Sequence, residues 1–297
     1  MKIFLFLVST AFIMLFLSCS GGNNSNDGQD SIDLENADTG VVFIDESDEV
    51  IYFVSSPGEI IEVLNEADLK YKPRLINDFA KYENYVVQSS QAINLGIYTA
   101  DLGYCTYYDE LSSAANLFFA IQDLSNKLEV SYLLNNIHHS RVKRNLHNAD
   151  SVRSLAKEYN KMIYSHFVEN NKKGMLALIS TGGLVESLYL ALNSIDKVDP
   201  ESAIAKAIAE QKFSFEVLRD FVYQQKGNKL VEGINDDIAK LDAVFETITP
   251  KKDTKTNVAK NNGKIVIGGS NNLTIDQAQF EKLKIVVSEV RNRYIEL

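Results

Sequence analysis

Residues 175–195 read MLALISTGGLVESLYLALNSI, and the fold turns on how this stretch is understood. It is apolar almost all the way round a helix, so it belongs either to the middle of a protein core or to a membrane. Glu186 and the Gly182, Gly183 pair interrupt it, and a carboxylate at bilayer depth is costly. The stretch therefore predicts the central buried helix of a helical protein. A second irregular helix is INLGIYTADLGYC, Ile93 to Cys105, where Gly96, Ala100 and Gly103 follow one another at spacings of four and three. That spacing leaves a smooth strip on which another backbone can approach closely. Glycine in a helix interior costs about 1 kcal/mol relative to alanine, so a close contact must offset it.

Around these two helices the chain carries amphipathic seams. Leu117, Ile121, Leu124 and Leu128 form one stripe; Val152, Leu155, Tyr159, Met162 and His166 form a second. A third is Val231, Ile234, Ile238, Leu241, Phe245 and Ile248, and the last is Phe280, Leu283, Val287, Val290, Tyr294 and Leu297. Start signals stand at Ser56–Pro57–Glu59, near Asp78, at Asp150, at Asp199–Pro200, and at Thr274 with Gln277 as a capping box. Thr249–Pro250 close a helix before a polar stretch rich in Lys and Asn. No repeat of 20 to 50 residues recurs. The expected architecture is all-α, a multi-helix up-and-down bundle over residues 41–249. GVVFIDESDEVIYFV, Gly40 to Val54, leads in as a short extended or hairpin segment. Residues 250–273 form a polar loop whose KIVIGG adds a short strand, and residues 274–297 form a C-terminal helix packed on the bundle.

Asp101 and Glu186 are the residues whose placement calls for an explanation, because an ionised carboxylate in a core needs a partner or a raised pKa. Two readings compete. Either they meet in a polar centre that binds a ligand, with Tyr104 and Tyr108 as donors, or each is a structural carboxylate bonded to Tyr, Arg or a helix end. Metal-binding signatures are missing: there is no H-E-x-x-H and no E-x-x-H pair. His138 and His139 are adjacent and point apart, His147 falls in a loop, and His166 in an apolar seam reads as a core histidine. Cys105 has no histidine near it in sequence and reads as a small buried residue. There is no G-x-S-x-G, and Gly263–Lys264 lack the earlier glycine of a phosphate loop. No catalytic residue, metal or cofactor is expected.

The formal net charge of −10 disfavours nucleic acid, which needs a basic face. The short basic knot Arg141, Lys143, Arg144 reads as a solvated helix end or a partner contact. Acidity also argues against lying flat on anionic lipid.

The amino-terminal end supplies an address. Lys2 followed by the apolar run Ile3 to Leu17 is an export signal over residues 1–18, too short for a comfortable membrane span. Leu15, Phe16, Leu17, Ser18 and Cys19 resemble the lipobox of bacterial lipoproteins, and that resemblance implies lipid attachment at Cys19 after cleavage. Phe16 and Leu17 depart from the usual aliphatic and small residues. Ser20 after the cysteine implies, by the same resemblance, the outer membrane, on its periplasmic face or at the cell surface. Cleavage would remove Lys2 and take the net charge from −10 to −11. Residues 19–40 are rich in Asn, Ser, Gly and Asp and read as a flexible tether. With Cys19 acylated, Cys105 has no disulfide partner in the chain.

Four segments together, SSPGEIIEVL (Ser55 to Leu64), INLGIYTADLGY (Ile93 to Tyr104), IQDLSNKL (Ile121 to Leu128) and STGGLVESLYLA (Ser180 to Ala191), resemble a family of Bacteroidota helical lipoproteins. Leu184 and Val185 stand where larger apolar residues are expected. The resemblance implies a lipid-anchored helical protein and carries over no catalytic residue. The expected function is a non-catalytic interaction or structural module that meets the membrane through its lipid and an unidentified protein or envelope component through its surface. The alternative is a small-ligand binder or sensor with its pocket near Asp101 and Glu186.

Overall fold

The computed structural model describes residues 40–44, 51–55, 58–133, 141, 144, 148–250, 258–261, 264–267 and 273–296. Nine α-helices are described: α1 (Gly58–Glu66), α2 (Gln88–Tyr107), α3 (Leu111–Lys127), α4 (Ala149–Glu169), α5 (Lys173–Ser194), α6 (Ala203–Gln224), the single turn α7 (Lys229–Glu232), α8 (Asn235–Phe245) and α9 (Gln277–Glu296). Short 3-10 turns sit at Pro73–Leu75, Phe79–Asn84 and Ser131–Leu133. Two antiparallel hairpins complete the description. β1 (Gly40–Ile44) pairs with β2 (Ile51–Ser55), Gly40 facing Ser55 and Ile44 facing Ile51. β3 (Val258–Asn261) pairs with β4 (Lys264–Ile267), so the stretch read as a polar loop carries a hairpin, its second strand formed by the KIVI of KIVIGG. The chain is an all-α helical bundle with these hairpins added.

The most extensive helix pair is α2 against α5, and the bundle is built around it. Helices α3 and α4 pack on α2, while α1, α6 and α9 pack on α5 and α8 packs on both α6 and α9. Helix α5 is buried from Gly174 to Leu188 without a break, and 89% of its most apolar window lies inside the fold. It has the length and composition of a membrane span, but protein already surrounds it on all sides, as Glu186 foretold.

Three of the four predicted seams face the core. Leu117, Ile121, Leu124 and Leu128 are buried, as are Phe280, Leu283, Val287, Val290 and Tyr294. Val231 to Ile248 are buried too, although Gly233 and Ile234 divide that segment into α7 and α8. The seam on α4 is rotated. Leu155 is buried, but the deeper contacts come from Ile163 and Phe167, one residue beyond Met162 and His166, which lie only half-buried.

Helix starts differ in detail from the sequence signals. Asn148, rather than Asp150, caps α4 by accepting from the Ser151 N–H at 2.8 Å; Ser202, rather than Asp199, caps α6. The capping box of α9 is Asp276 with Gln279: Asp276 Oδ1 accepts from the Gln279 N–H at 2.8 Å, and Gln279 Oε1 accepts from the Asp276 N–H at 3.0 Å. Thr274 and Gln277 are used elsewhere, donating to the Pro200 carbonyl and accepting from the Val198 N–H. A side chain that reaches a neighbouring segment is lost to its own helix end.

Helices α1 to α4 end alike. Asp68, Asp109, Glu129 and Asn171 each adopt a left-handed conformation, φ between 53° and 62°, two residues beyond the last helical residue. The following N–H reaches back to a carbonyl five residues earlier, as from Glu110 to Cys105 at 2.8 Å and from Val130 to Ser125 at 2.9 Å. This is the geometry glycine ordinarily supplies at a helix C-terminus.

Candidate functional site

The α2–α5 crossing is made by glycines. A Cβ on Gly96 would strike the Ile179 carbonyl oxygen and come within 2.7 Å of the Gly183 nitrogen; a Cβ on Gly182 would strike the Ile93 carbonyl. Here backbone meets backbone, which is what offsets the poor helix propensity of glycine at these positions. Gly103, on the same predicted strip, has Ile61 Cδ1 at 3.8 Å and ordinary room.

Close approach of these helices brings Asp101 of α2 and Glu186 of α5 together. Both are fully buried, and Arg291 with residues 75–77 links them. The structural reading allowed an arginine partner without saying which. Arg291 of α9 grips Glu186 with both prongs of its guanidinium, Nε to Oε2 at 2.9 Å and Nη2 to Oε1 at 3.0 Å. Its Nη2 also donates to the Leu75 carbonyl at 3.1 Å, and the guanidinium lies 4.4 Å from the centre of the Tyr189 ring. Asp101 Oδ2 accepts from the Asn77 N–H at 2.9 Å. The centre thus ties α2, α5, α9 and residues 75–77 into one network.

Its electrostatics follow from burial. Loss of water, and secondarily the charge of Glu186, hold the Asp101 carboxyl well above the usual carboxylate range, against the opposing pull of Arg291 and the Asn77 N–H. Asp101 Oδ1 has no N–H or O–H donor among the described residues. A proton on Asp101 satisfies this arrangement, since it leaves a single carboxylate, Glu186, opposite a single guanidinium. Burial works against the charge of Arg291, and Glu186 more than offsets it, leaving the guanidinium pKa raised.

Tyr104 and Tyr108 belong to a neighbouring cluster with Tyr71. Ring centres stand 5.2 Å apart for Tyr71–Tyr104, 5.8 Å for Tyr71–Tyr108 and 4.9 Å for Tyr104–Tyr108. The Tyr104 hydroxyl accepts from the Lys72 N–H at 3.0 Å, and Lys72 Nζ caps the end of α5 by donating to the Asn193 and Ser194 carbonyls, both at 3.0 Å. Burial pushes the Tyr108 phenol up to about 12, and its hydroxyl is buried with no partner among the described residues. Cys105 is fully buried beside the Tyr71 hydroxyl at 3.4 Å, and burial lifts its thiol to about 12, which leaves it protonated and inert. Tyr104 and Tyr108 are therefore not donors to the carboxyl pair, although Tyr104 feels the charge of Asp101.

The remaining candidates lie apart. His166 is a rim residue rather than a core one: its Nδ1 is 2.7 Å from the Tyr132 hydroxyl and 2.9 Å from Asn170 Nδ2, and burial with the nearby Lys172 lowers its pKa. Arg141 pairs with Glu158 at 3.2 Å. Among the described residues no group of three or more His, Cys, Asp or Glu side chains is placed to hold a metal ion. Cys19, with the rest of the export signal and tether, lies outside the described residues.

Comparison with protein-family models, with curated proteins and with solved structures finds no match to this chain.

Proposed function

We propose that this protein is a lipid-anchored envelope component whose helical bundle is a rigid interaction or structural module rather than a catalyst. The observation that carries this reading is the closure of the carboxyl centre. Asp101 and Glu186 are the best-placed acidic groups for chemistry, yet both are fully buried, Asp101 on the Asn77 N–H and Glu186 on the Arg291 fork. A general acid or ligand-binding carboxylate has to reach substrate. In this reading these groups shape the scaffold, and recognition belongs to its surface.

The anchor rests on Leu15 to Cys19, whose pattern would place a lipid on the thiol of Cys19. Two or three acyl chains hold a protein at a membrane far better than one, each buried methylene contributing about 0.8 kcal/mol. The partner is an envelope protein or component, met at the far end of the tether of residues 19–40.

The reading is tested in cells that express the full chain, by palmitate labelling, membrane fractionation and mass spectrometry of cross-linked partners. Labelled protein in the membrane fraction, released by Cys19→Ala and cross-linked to a reproducible protein, is the expected result. Unacylated protein in the soluble fraction overturns the anchor. Turnover of a substrate that disappears with Asp101→Asn or Glu186→Gln, while the fold is retained, overturns the non-catalytic role. The partnerless Tyr108 hydroxyl beside Tyr71 and Tyr104 favours the small-ligand alternative, which gains if native mass spectrometry finds a bound molecule that Tyr108→Phe releases.

A further inference from the structure

We propose that the Asp101–Glu186–Arg291 centre is a proton-dependent latch. While Asp101 keeps a proton, the centre fastens α9 and residues 75–77 onto the α2–α5 pair, and loss of that proton loosens the attachment. This is a property of the fold and stands whether or not the protein is lipid-anchored.

Geometry carries the argument. Asp101 is fully buried and accepts a single N–H, from Asn77, while the Arg291 fork beside it is taken by Glu186, so an ionised Asp101 would have no countercharge of its own. Glu186 already uses both oxygens on the Arg291 fork, and Asp101 retains an oxygen, Oδ1, with no donor among the described residues. The proton therefore belongs on Asp101 Oδ1. Deprotonation passes it to solvent base during a local opening of the fold and leaves two anions and one guanidinium in a fully buried site. The second negative charge then competes with Glu186 for Arg291, whose remaining bond, to the Leu75 carbonyl, is one of the ties that hold residues 75–77. The Asn77 N–H on Asp101 Oδ2 is another, beside the bond from Asn77 Nδ2 to the Tyr85 hydroxyl at 3.0 Å.

The charged and titratable surroundings leave the role to this pair. From α2 come Tyr98, Tyr104 and Cys105, all buried and all raised above their ordinary values, so they stay neutral through the range concerned. Helix α5 presents Glu186 and Tyr189, α9 presents Arg291, and the segment before α2 presents Tyr85, whose value burial also raises. Helix α1 meets this stretch of α2 through Ile61 at Gly103.

The sign of the effect follows from linkage. Asp101 has a folded value above its unfolded one, so the folded protein holds this proton more firmly than the unfolded chain. Its contribution is complete below the ordinary carboxyl pKa and is lost as pH rises through the folded value.

The experiment uses the full chain in detergent and compares wild type with Asp101→Asn, whose amide stays neutral at every pH as the protonated acid is. Infrared difference spectra between pH 5 and 10 report protonated carboxyl groups, and thermal melts over the same range report stability. The expected result is a protonated-carboxyl band in wild type at pH 7 that Asp101→Asn removes, with a wild-type Tm that falls on raising the pH more steeply than the variant's. No such band at pH 7, or a band with parallel Tm profiles, overturns the latch. If Asp101→Asn does not accumulate, wild type alone decides by limited trypsin digestion. Loss of the band must then coincide with new cleavage at Lys72, Arg74 or within α9 at Lys282 or Lys284, and loss without new cleavage overturns the proposal.

Discussion

Two ion pairs in this bundle have nearly the same length and opposite surroundings. Arg291 meets Glu186 at 2.9 Å with the two side chains 6% and 0% exposed; Arg219 of α6 meets Asp242 of α8 at 2.7 Å with the side chains 24% and 22% exposed. Distance therefore does not rank them. Water reaches the second pair and screens it, so removing a partner leaves a charge that solvent can accept. In the first, the abandoned charge has nowhere to go. The buried pair also joins residues 105 apart in sequence and draws in Asp101 and the Leu75 carbonyl, whereas the outer pair joins residues 23 apart.

Breaking the buried pair from the cation side is the sharpest test of this difference. Arg291→Met should lower stability by about 3–5 kcal/mol in chemical denaturation at pH 7, because it leaves Glu186 and Asp101 facing each other without a countercharge. Glu186→Gln should cost clearly less, since Asp101 can then release its proton and take over the guanidinium. Equal losses for the two variants would argue against a proton on Asp101.

Next in size is Gly182→Ala, which leaves both ion pairs chemically intact and pushes α5 away from the Ile93 carbonyl on α2. Overpacking of this kind costs about 1–3 kcal/mol. Its penalty should shrink when combined with Arg291→Met, because the same helix approach aligns Glu186 with Asp101; strict additivity would separate the crossing from the polar centre. The outer pair comes third. Arg219→Ala or Asp242→Asn should cost no more than about 1 kcal/mol, with less effect at high salt, as read from melts at two ionic strengths.

The smallest offset at acid pH is expected for Asp101→Asn, which imitates the protonated form. Near pH 4 it should melt close to wild type. As the pH rises the variant should become the more stable of the two, because it has no proton to lose. A wild type that gains stability relative to the variant between pH 5 and 9 would contradict the assigned protonation.

Much of this centre could be read in advance and some could not. Asp101 and Glu186 stood out because each interrupts an apolar helix, and Gly96 and Gly182 stood out because small residues in such helices need a contact to justify them. Arg291 was overlooked although it lies four residues after Val287 and three before Tyr294, both core residues of α9. That spacing puts it on the buried face, and a cation in that position was the available signal for a counterion to the two carboxylates. Asn77 gave no such signal, because it contributes its backbone N–H to Asp101. Asp276 with Gln279 also had a capping-box pattern, but only the neighbouring 198–200 loop, by engaging Thr274 and Gln277, selects between the two possible boxes. The left-handed caps at Asp68, Asp109, Glu129 and Asn171 carry no glycine and so left no trace in the residue pattern.

Local periodicity was enough to establish a helical protein with α5 at its middle, to place most of the core seams, and to mark two acidic groups that had to be accounted for. Burial favours one face of each helix wherever that helix finally packs, so this information is present before any partner is known. Tertiary packing alone decided that the two acids share one buried centre, that a cation from the last helix pairs with Glu186, and that the tyrosines beside them form a separate cluster. Pairings between residues one or two hundred positions apart depend on how helices cross, and crossing geometry is a property of pairs of surfaces that no single segment contains.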